Sequence, residues 1–243
     1  MPNHLSSVQD AVDAIARGGV IIVVDAEDRQ NEGDFICAAE KVTPEIVNFM
    51  ITHGRGLLCI SVLPEVCKRL KLKPIVNTNT APLGTAFTTP VDHRSVRTGI
   101  TAQERARTIR AMIRQENTAS DFVRPGHVLP VVTKEGGVLR RAGHTEASVD
   151  LARMAGLAPS GVLCEVLEES GDRATRNQLA EIARHHKLPM ISIEQLIAQR
   201  RVTEKLVHRD VEASLPTRYG DFRILIYTVQ YESQQPIVLV MGD

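Results

Sequence analysis

The apolar run Val20-Ile21-Ile22-Val23-Val24 is followed at once by Asp25-Ala26-Glu27-Asp28-Arg29-Gln30-Asn31-Glu32-Gly33-Asp34. Five uninterrupted apolar residues read as a short strand buried on both faces. The carboxylates of Asp25, Glu27, Asp28, Glu32 and Asp34 then leave a sheet edge together. Mutual repulsion disfavours ionising all of them unless a cation or hydrogen-bond donors compensate. A bound metal or a proton-transfer site would supply that compensation. The alternative is a solvated acidic loop neutralised by Arg29 alone.

Bulk properties narrow the function classes. The 243 residues, 43% of them hydrophobic, can bury the core of one large domain or of a domain plus an appendage. Lys+Arg and Asp+Glu are both 29, which gives no electrostatic reason to expect nucleic acid or an anionic membrane as partner. Cys37, Cys59, Cys67 and Cys164 form no CxxC pair, which argues against a zinc site or disulfide framework and fits a reducing cytosol. Asp10, Asp13 and Arg17 interrupt the N-terminal segment, and no apolar run approaches the ~20 residues of a membrane span. A soluble, cytoplasmic protein is expected.

Helices and short apolar strands alternate along the chain. Ser6-x-x-Gln9 reads as a capping box before an apolar face of Val8, Val12 and Ile15, with Gly18-Gly19 as the stop. Thr43-Pro44 starts a second helix ending near His53-Gly54, Leu57 to Ile60 reads as a buried strand, and Pro64 opens a short helix. Residues 74–99, rich in Thr, Pro, Asn and Gly, read as loops around a site, with Ala86-Phe87-Thr88 as an edge strand. Thr101-x-x-Glu104 caps a helix to about Gln115, with Ala102, Ala106, Ile109 and Ile113 inward and four arginines outward.

Three later segments carry chemistry. In Arg124-Pro125-Gly126-His127 a turn at Pro125-Gly126 is expected to deliver His127 to a strand mouth, although a lone histidine is often structural. In Arg140-Arg141-Ala142-Gly143-His144-Thr145-Glu146, Thr145 reads as a helix cap. Arginine, glycine and a helix N-terminus make an anion site suited to phosphate, unless Arg141 simply pairs with Glu146. His144, at the same cap, suits a metal through a neutral ring nitrogen. Finally Gly161 to Glu165 is an apolar strand ending in a carboxylate, costly to bury unless hydrogen-bonded or used as a base. The inventory suits metal-assisted chemistry on a phosphorylated sugar.

These blocks, with Arg55 to Ser61, Gly84 to Thr88, Val91 to His93 and the segment TGITAQERARTI, resemble 3,4-dihydroxy-2-butanone 4-phosphate synthase in order and spacing over about residues 5 to 200. The resemblance implies an α+β fold: a single three-layer α-β-α domain with a mixed sheet over residues 1–202, homodimeric, with active sites at the subunit interface. It implies magnesium-dependent conversion of D-ribulose 5-phosphate to L-3,4-dihydroxy-2-butanone 4-phosphate and formate in riboflavin biosynthesis. Two ions per site, Mg2+ or Mn2+, are implied. The steps are formation of an enediol, loss of water from the first carbon, a skeletal shift, and loss of the fourth carbon as formate. By position, Asp25, Glu32, Cys59, His127 and Glu165 resemble the catalytic group. Arg29, Gln30, Asp34, Arg141, Ala142, Gly143, His144, Thr145 and Glu165 match substrate contacts, and His144 and Gln30 stand at metal-ligand positions.

Two departures stand out. The family's Arg-Glu-Asn-Glu or Arg-Glu-Gly-Glu is here Arg29-Gln30-Asn31-Glu32, so the metal-binding glutamate is replaced by a neutral amide, a poor ligand for hard magnesium. Thr89-Pro90 stands where a valine and another small or β-branched residue are usual. A weakened paralogue, acting on a related phosphoketose or as a dimerising or regulatory partner, is therefore an alternative. Residues 203–243 resemble a truncated opening of GTP cyclohydrolase II and are expected to form a short β-rich extension without catalysis. Such a partial sheet is expected to pack on the main domain or a partner chain, or to stay poorly ordered.

Overall fold

Ser7, not Ser6, opens the first helix. In the computed structural model, which describes residues 5–26, 29–231 and 233–242, the Ser7 hydroxyl accepts from Asp10 N and Asp10 accepts from Ser7 N. Ser6 is instead hydrogen-bonded to Met190 through its backbone N–H and its Oγ. Helix α1 (Val8–Ala16) leads into strand β1 (Ile21–Val24), every residue of which is buried. Strand β2 (Gly33–Ala38) returns antiparallel, Val24 facing Gly33, so the acidic segment is the connection of a hairpin. The chain continues through α2 (Pro44–Gly54), β3 (Cys59–Val62), α3 (Pro64–Leu70), β4 (Val91–His93) and α4 (Ala102–Ile113). Then come β5 (Phe122–Val132), α5 (His144–Met154), β6 (Gly161–Glu165), α6 (Arg176–His186), β7 (Met190–Ser192) and α7 (Ile193–Thr203).

The seven strands form one mixed sheet in the order β4-β5-β3-β6-β2-β1-β7. Period-two alternation divides its side chains between two cores. Ile22, Val24, Phe35, Cys37, Ile60 and Val162 belong to the core that also holds Met50, Leu70, Ile109 and Leu179 from α2, α3, α4 and α6. On the opposite face α1 and α5 pack together over the sheet, and Ile21, Val23 and Ile36 there are fully enclosed. This is the expected α+β, three-layer arrangement around a mixed sheet.

Three local expectations are corrected. The strand expected at Leu57–Ile60 begins at Cys59, because Leu57 N donates to the Glu165 carboxylate and the Leu57 side chain is exposed. Pro125-Gly126 makes no turn: both lie inside the long strand β5, and β4 approaches so closely that a Cβ on Gly126 would sit 2.0 Å from the Val91 carbonyl carbon. Among the α4 arginines, Arg105 is half-buried, with Nε enclosed and unpaired among the described residues, rather than facing out. Residues 74–88 are largely irregular, with isolated bridges at Phe87–Val131 and Pro74–Thr88.

The chain divides into two compact units, Met1–Leu196 and Ile197–Asp243. The second contains an antiparallel sheet of β8 (Val207–Thr217), β9 (Gly220–Val229) and β10 (Ile237–Met241), in the order β10-β9-β8. No helix among the described residues is long and apolar enough to cross a membrane.

Candidate active site

The hairpin connection between β1 and β2 is organised by Asp25, which is buried. Its Oδ2 accepts from Arg29 Nη1 at 2.7 Å and from Gln30 N at 3.2 Å, and its Oδ1 from Glu32 N at 2.9 Å. Asp25 thus acts as the internal cap of its own loop. Arg176, the first residue of α6, donates to the Asp25 carbonyl at 3.2 Å, and Arg173 donates to the Gln30 carbonyl. Glu27 and Asp28 lie outside the described residues.

Beyond this loop the sheet supplies a second wall. Glu165 ends β6 directly opposite Asp34 of β2, a like-charged cross-strand pair that destabilises the sheet unless something compensates. A pocket of about 280 Å³ opens over the pair, lined by Arg29, Gln30, Glu32, Cys59, Arg141, His144 and Thr145, with Thr85, Phe87, Val131 and Leu163 as neighbours. A larger cavity of about 520 Å³ is lined by 74–81, 85–88 and Val132, with no titratable side chain. Chemistry therefore favours the smaller one.

The electrostatics are those of an acid cluster that Arg29 and Arg173 offset only in part. Burial, then the neighbouring Glu165, Glu32 and Asp25 carboxylates, push the Asp34 carboxyl well above its ordinary range. Glu32 is raised by burial, Asp25 and Glu165, and Glu165 is raised by burial against the bond from Leu57 N. Burial lowers His144 to about 4, so its ring is neutral near pH 7 and its 3.7 Å approach to Asp34 is not an ion pair. Burial also pushes the Cys59 thiol up, which keeps it protonated and unsuited to act as a nucleophile.

Two buried atoms in this pocket, His144 Nε2 and Asp34 Oδ1, have no hydrogen-bond partner among the described residues. A neutral imidazole with an unused lone pair amid carboxylates fits a divalent cation. No group of three His, Cys, Asp or Glu among the described residues could hold an ion alone. Beside these residues, substrate oxygens and water would complete the shell of an ion held here, a habit of magnesium. Gln30 is poorly placed as its second ligand, because Arg29 Nη1 already donates to its Oε1 at 2.5 Å.

At the pocket's other end Gly143 is the N-cap of α5, so Thr145 lies inside the first turn rather than capping it. The helix ladder starts with Ala147 N donating to Gly143 O, leaving the earlier N–H groups for an anion. Arg141 does pair with Glu146, at 2.7 Å, yet it still lines the pocket.

The family model of 3,4-dihydroxy-2-butanone 4-phosphate synthase matches residues 9–199. This chain belongs to that family. Riboflavin biosynthesis protein RibBA of Bacillus velezensis is 50% identical over 236 residues, 97% of this chain, and RibBA of Bacillus subtilis is 49% identical over the same span. The chain spans 59% of the length of these relatives. The crystal structure of RibBX, a two-domain member from A. baumannii, superposes with TM-score 0.90 at 41% identity, covering 98% of this chain and 70% of that one. A family member in complex with two magnesium ions superposes with TM-score 0.77 at 37% identity, covering 82% of this chain and 98% of that one.

Of the residues matched to the family's site, Glu32, Cys59, Glu165, Arg29, Gln30, Asp34, Arg141, His144 and Thr145 line one pocket. Asp25 braces the loop behind it, and Ala142 and Gly143 are not among its lining residues. His127 is also absent from that lining. It lies exposed in the middle of β5, bonded to Asp92. Sequence reading missed Arg173 and Arg176 as loop anchors, since the bonds join residues 143 and 151 positions apart. It also missed Thr85 as a contact of Arg141, although Thr85 falls inside the matched segment Gly84 to Thr88.

Proposed function

We propose that this chain converts D-ribulose 5-phosphate to L-3,4-dihydroxy-2-butanone 4-phosphate and formate, a lyase step of riboflavin biosynthesis. The observation that carries this reading is one pocket joining three raised carboxyls, the Arg141–α5 anion site and His144 Nε2, which has no partner among the described residues. Arg141 and the first-turn N–H groups of α5 bind the phosphate. A carboxylate among Glu32, Asp34 and Glu165 takes the substrate's carbon-bound proton to give the enediol, and a protonated neighbour assists loss of water. All three carboxyls are raised from their ordinary range by burial, the direction that helps a carboxyl hold a proton as well as take one.

Magnesium, two ions per site as in the metal-bound relative, or manganese in its place, would polarise the substrate's carbonyl and hydroxyl oxygens when bound. His144 Nε2 would hold it. We further propose a homodimer in which His127 of one chain serves the pocket of the other. Its exposure outside its own pocket supports this.

A second reading, a weakened paralogue, is favoured by one observation: both ends of the Gln30 amide are engaged, Oε1 by Arg29 and Nε2 by Glu32. One assay separates them. The purified chain and a Gln30→Glu variant are incubated with ribulose 5-phosphate and Mg2+, and formate is followed enzymatically. Formate from both supports the first reading. Formate from the variant alone defeats it.

A further inference from the structure

Asp92 falls inside the matched segment Val91 to His93 but has no site role above, yet both its carboxylate oxygens engage His127. We propose that Asp92 is the positioning residue of His127, fixing the ring so that Nε2 is its working nitrogen. This rests on the reading of His127 as an acid–base group.

Asp92 Oδ1 accepts from His127 N at 2.9 Å and Oδ2 lies 2.7 Å from His127 Nδ1. An ionised carboxylate can only accept, so the ring proton resides on Nδ1 and the Nε2 lone pair is directed away. Nε2 makes no hydrogen bond to a described residue, and the His127 side chain is 42% exposed against 6% for Asp92. The buried partner orients and the exposed one is left to react.

The seat of the carboxylate is built closely. Gly99, at φ +87°, folds over it, and a Cβ there would lie 2.0 Å from Asp92 Oδ2. His93 N donates to Thr108 Oγ1 at 3.0 Å, pinning β4 to α4. A purely structural aspartate would need only the bond to His127 N. The second oxygen, on the ring, controls the tautomer.

In the reaction Nε2 takes a proton from a substrate hydroxyl, the imidazolium is balanced by the Asp92 carboxylate, and the same proton is returned from Nε2 in a later step. No oxidant or further reactant is needed.

Asp92→Asn separates the two roles. The amide oxygen still accepts from His127 N, but the amide nitrogen donates and cannot accept the Nδ1 proton. Nitrogen-15 NMR of the full chain, assigned with His127→Gln, should show Nδ1–H in the native protein and Nε2–H in Asp92→Asn. With ribulose 5-phosphate and Mg2+, kcat should fall by roughly 10²- to 10⁴-fold with KM nearly constant. Nε2–H in the native ring, or native kcat in Asp92→Asn, overturns the proposal. A native chain without turnover defeats the proposed activity, and the ring spectrum still decides the role of Asp92.

Discussion

Gln30 donates from Nε2 to Glu32 Oε2 at 3.1 Å while its Oε1 accepts from Arg29. The amide thus bridges an anion and a cation, which no carboxylate at this position could do. Its neutrality also spares the pocket a further negative charge beside Asp25, Glu32, Asp34 and Glu165.

Gln30→Glu replaces a donor to Glu32 with a repelling charge. Without metal the variant should lose roughly 1–2 kcal/mol of stability. With Mg2+ it should gain roughly tenfold or more in affinity, since a carboxylate is the better hard ligand. Urea unfolding in chelator and calorimetric Mg2+ titration measure the two effects. Equal stability in chelator would contradict the bridging role, and equal metal affinity would contradict position 30 as a ligand position.

The pH dependence of stability follows from opposing groups. His144 falls from its ordinary 6.5 to about 4 in the fold. The unfolded chain therefore takes the proton first, and on the order of 3 kcal/mol is lost as pH drops from 6.5 to about 4. Asp34 behaves oppositely: its carboxyl is raised, so its penalty is present at high pH and relieved as pH falls through the folded value. In chelator, Asp34→Asn should stabilise the chain at pH 8 and gain nothing in acid. His144→Gln should remove the loss below pH 6.5. Denaturation curves parallel to native across this range would refute both assignments.

Ser61 is the hub under the site. Its Oγ accepts from Gly161 N at 2.8 Å and from Ser148 Oγ at 2.7 Å, tying β3 and β6 to the first turns of α5. Ser61→Ala strands the buried Gly161 N–H, at a cost of about 1–3 kcal/mol. The urea midpoint should fall accordingly, with an unchanged slope. A midpoint equal to native would show that the network carries no stability.

Much of this was legible from local chemistry. The apolar run ending at Val24, the Thr43 and Thr101 caps and the Gly161–Glu165 strand depend on neighbours a few positions away, and each forms as its residues dictate. The pocket walls Glu32, His144 and Glu165 were legible because charge beside a buried strand or helix start is rarely idle. Pairings across the chain were not. Asp92 meets His127 from 35 positions away, and Arg173 reaches Gln30 from 143. Pro125-Gly126 misled because its glycine answers to the adjacent strand β4 rather than to a turn.

Carbon tracing tests the central claim most directly. Ribulose 5-phosphate labelled with carbon-13 at its fourth carbon is incubated with the native chain and Mg2+ and followed by NMR. The account predicts labelled formate appearing in step with unlabelled dihydroxybutanone phosphate. Substrate consumption that leaves the label in a phosphorylated product, or no consumption by a folded, magnesium-bound chain, would contradict it.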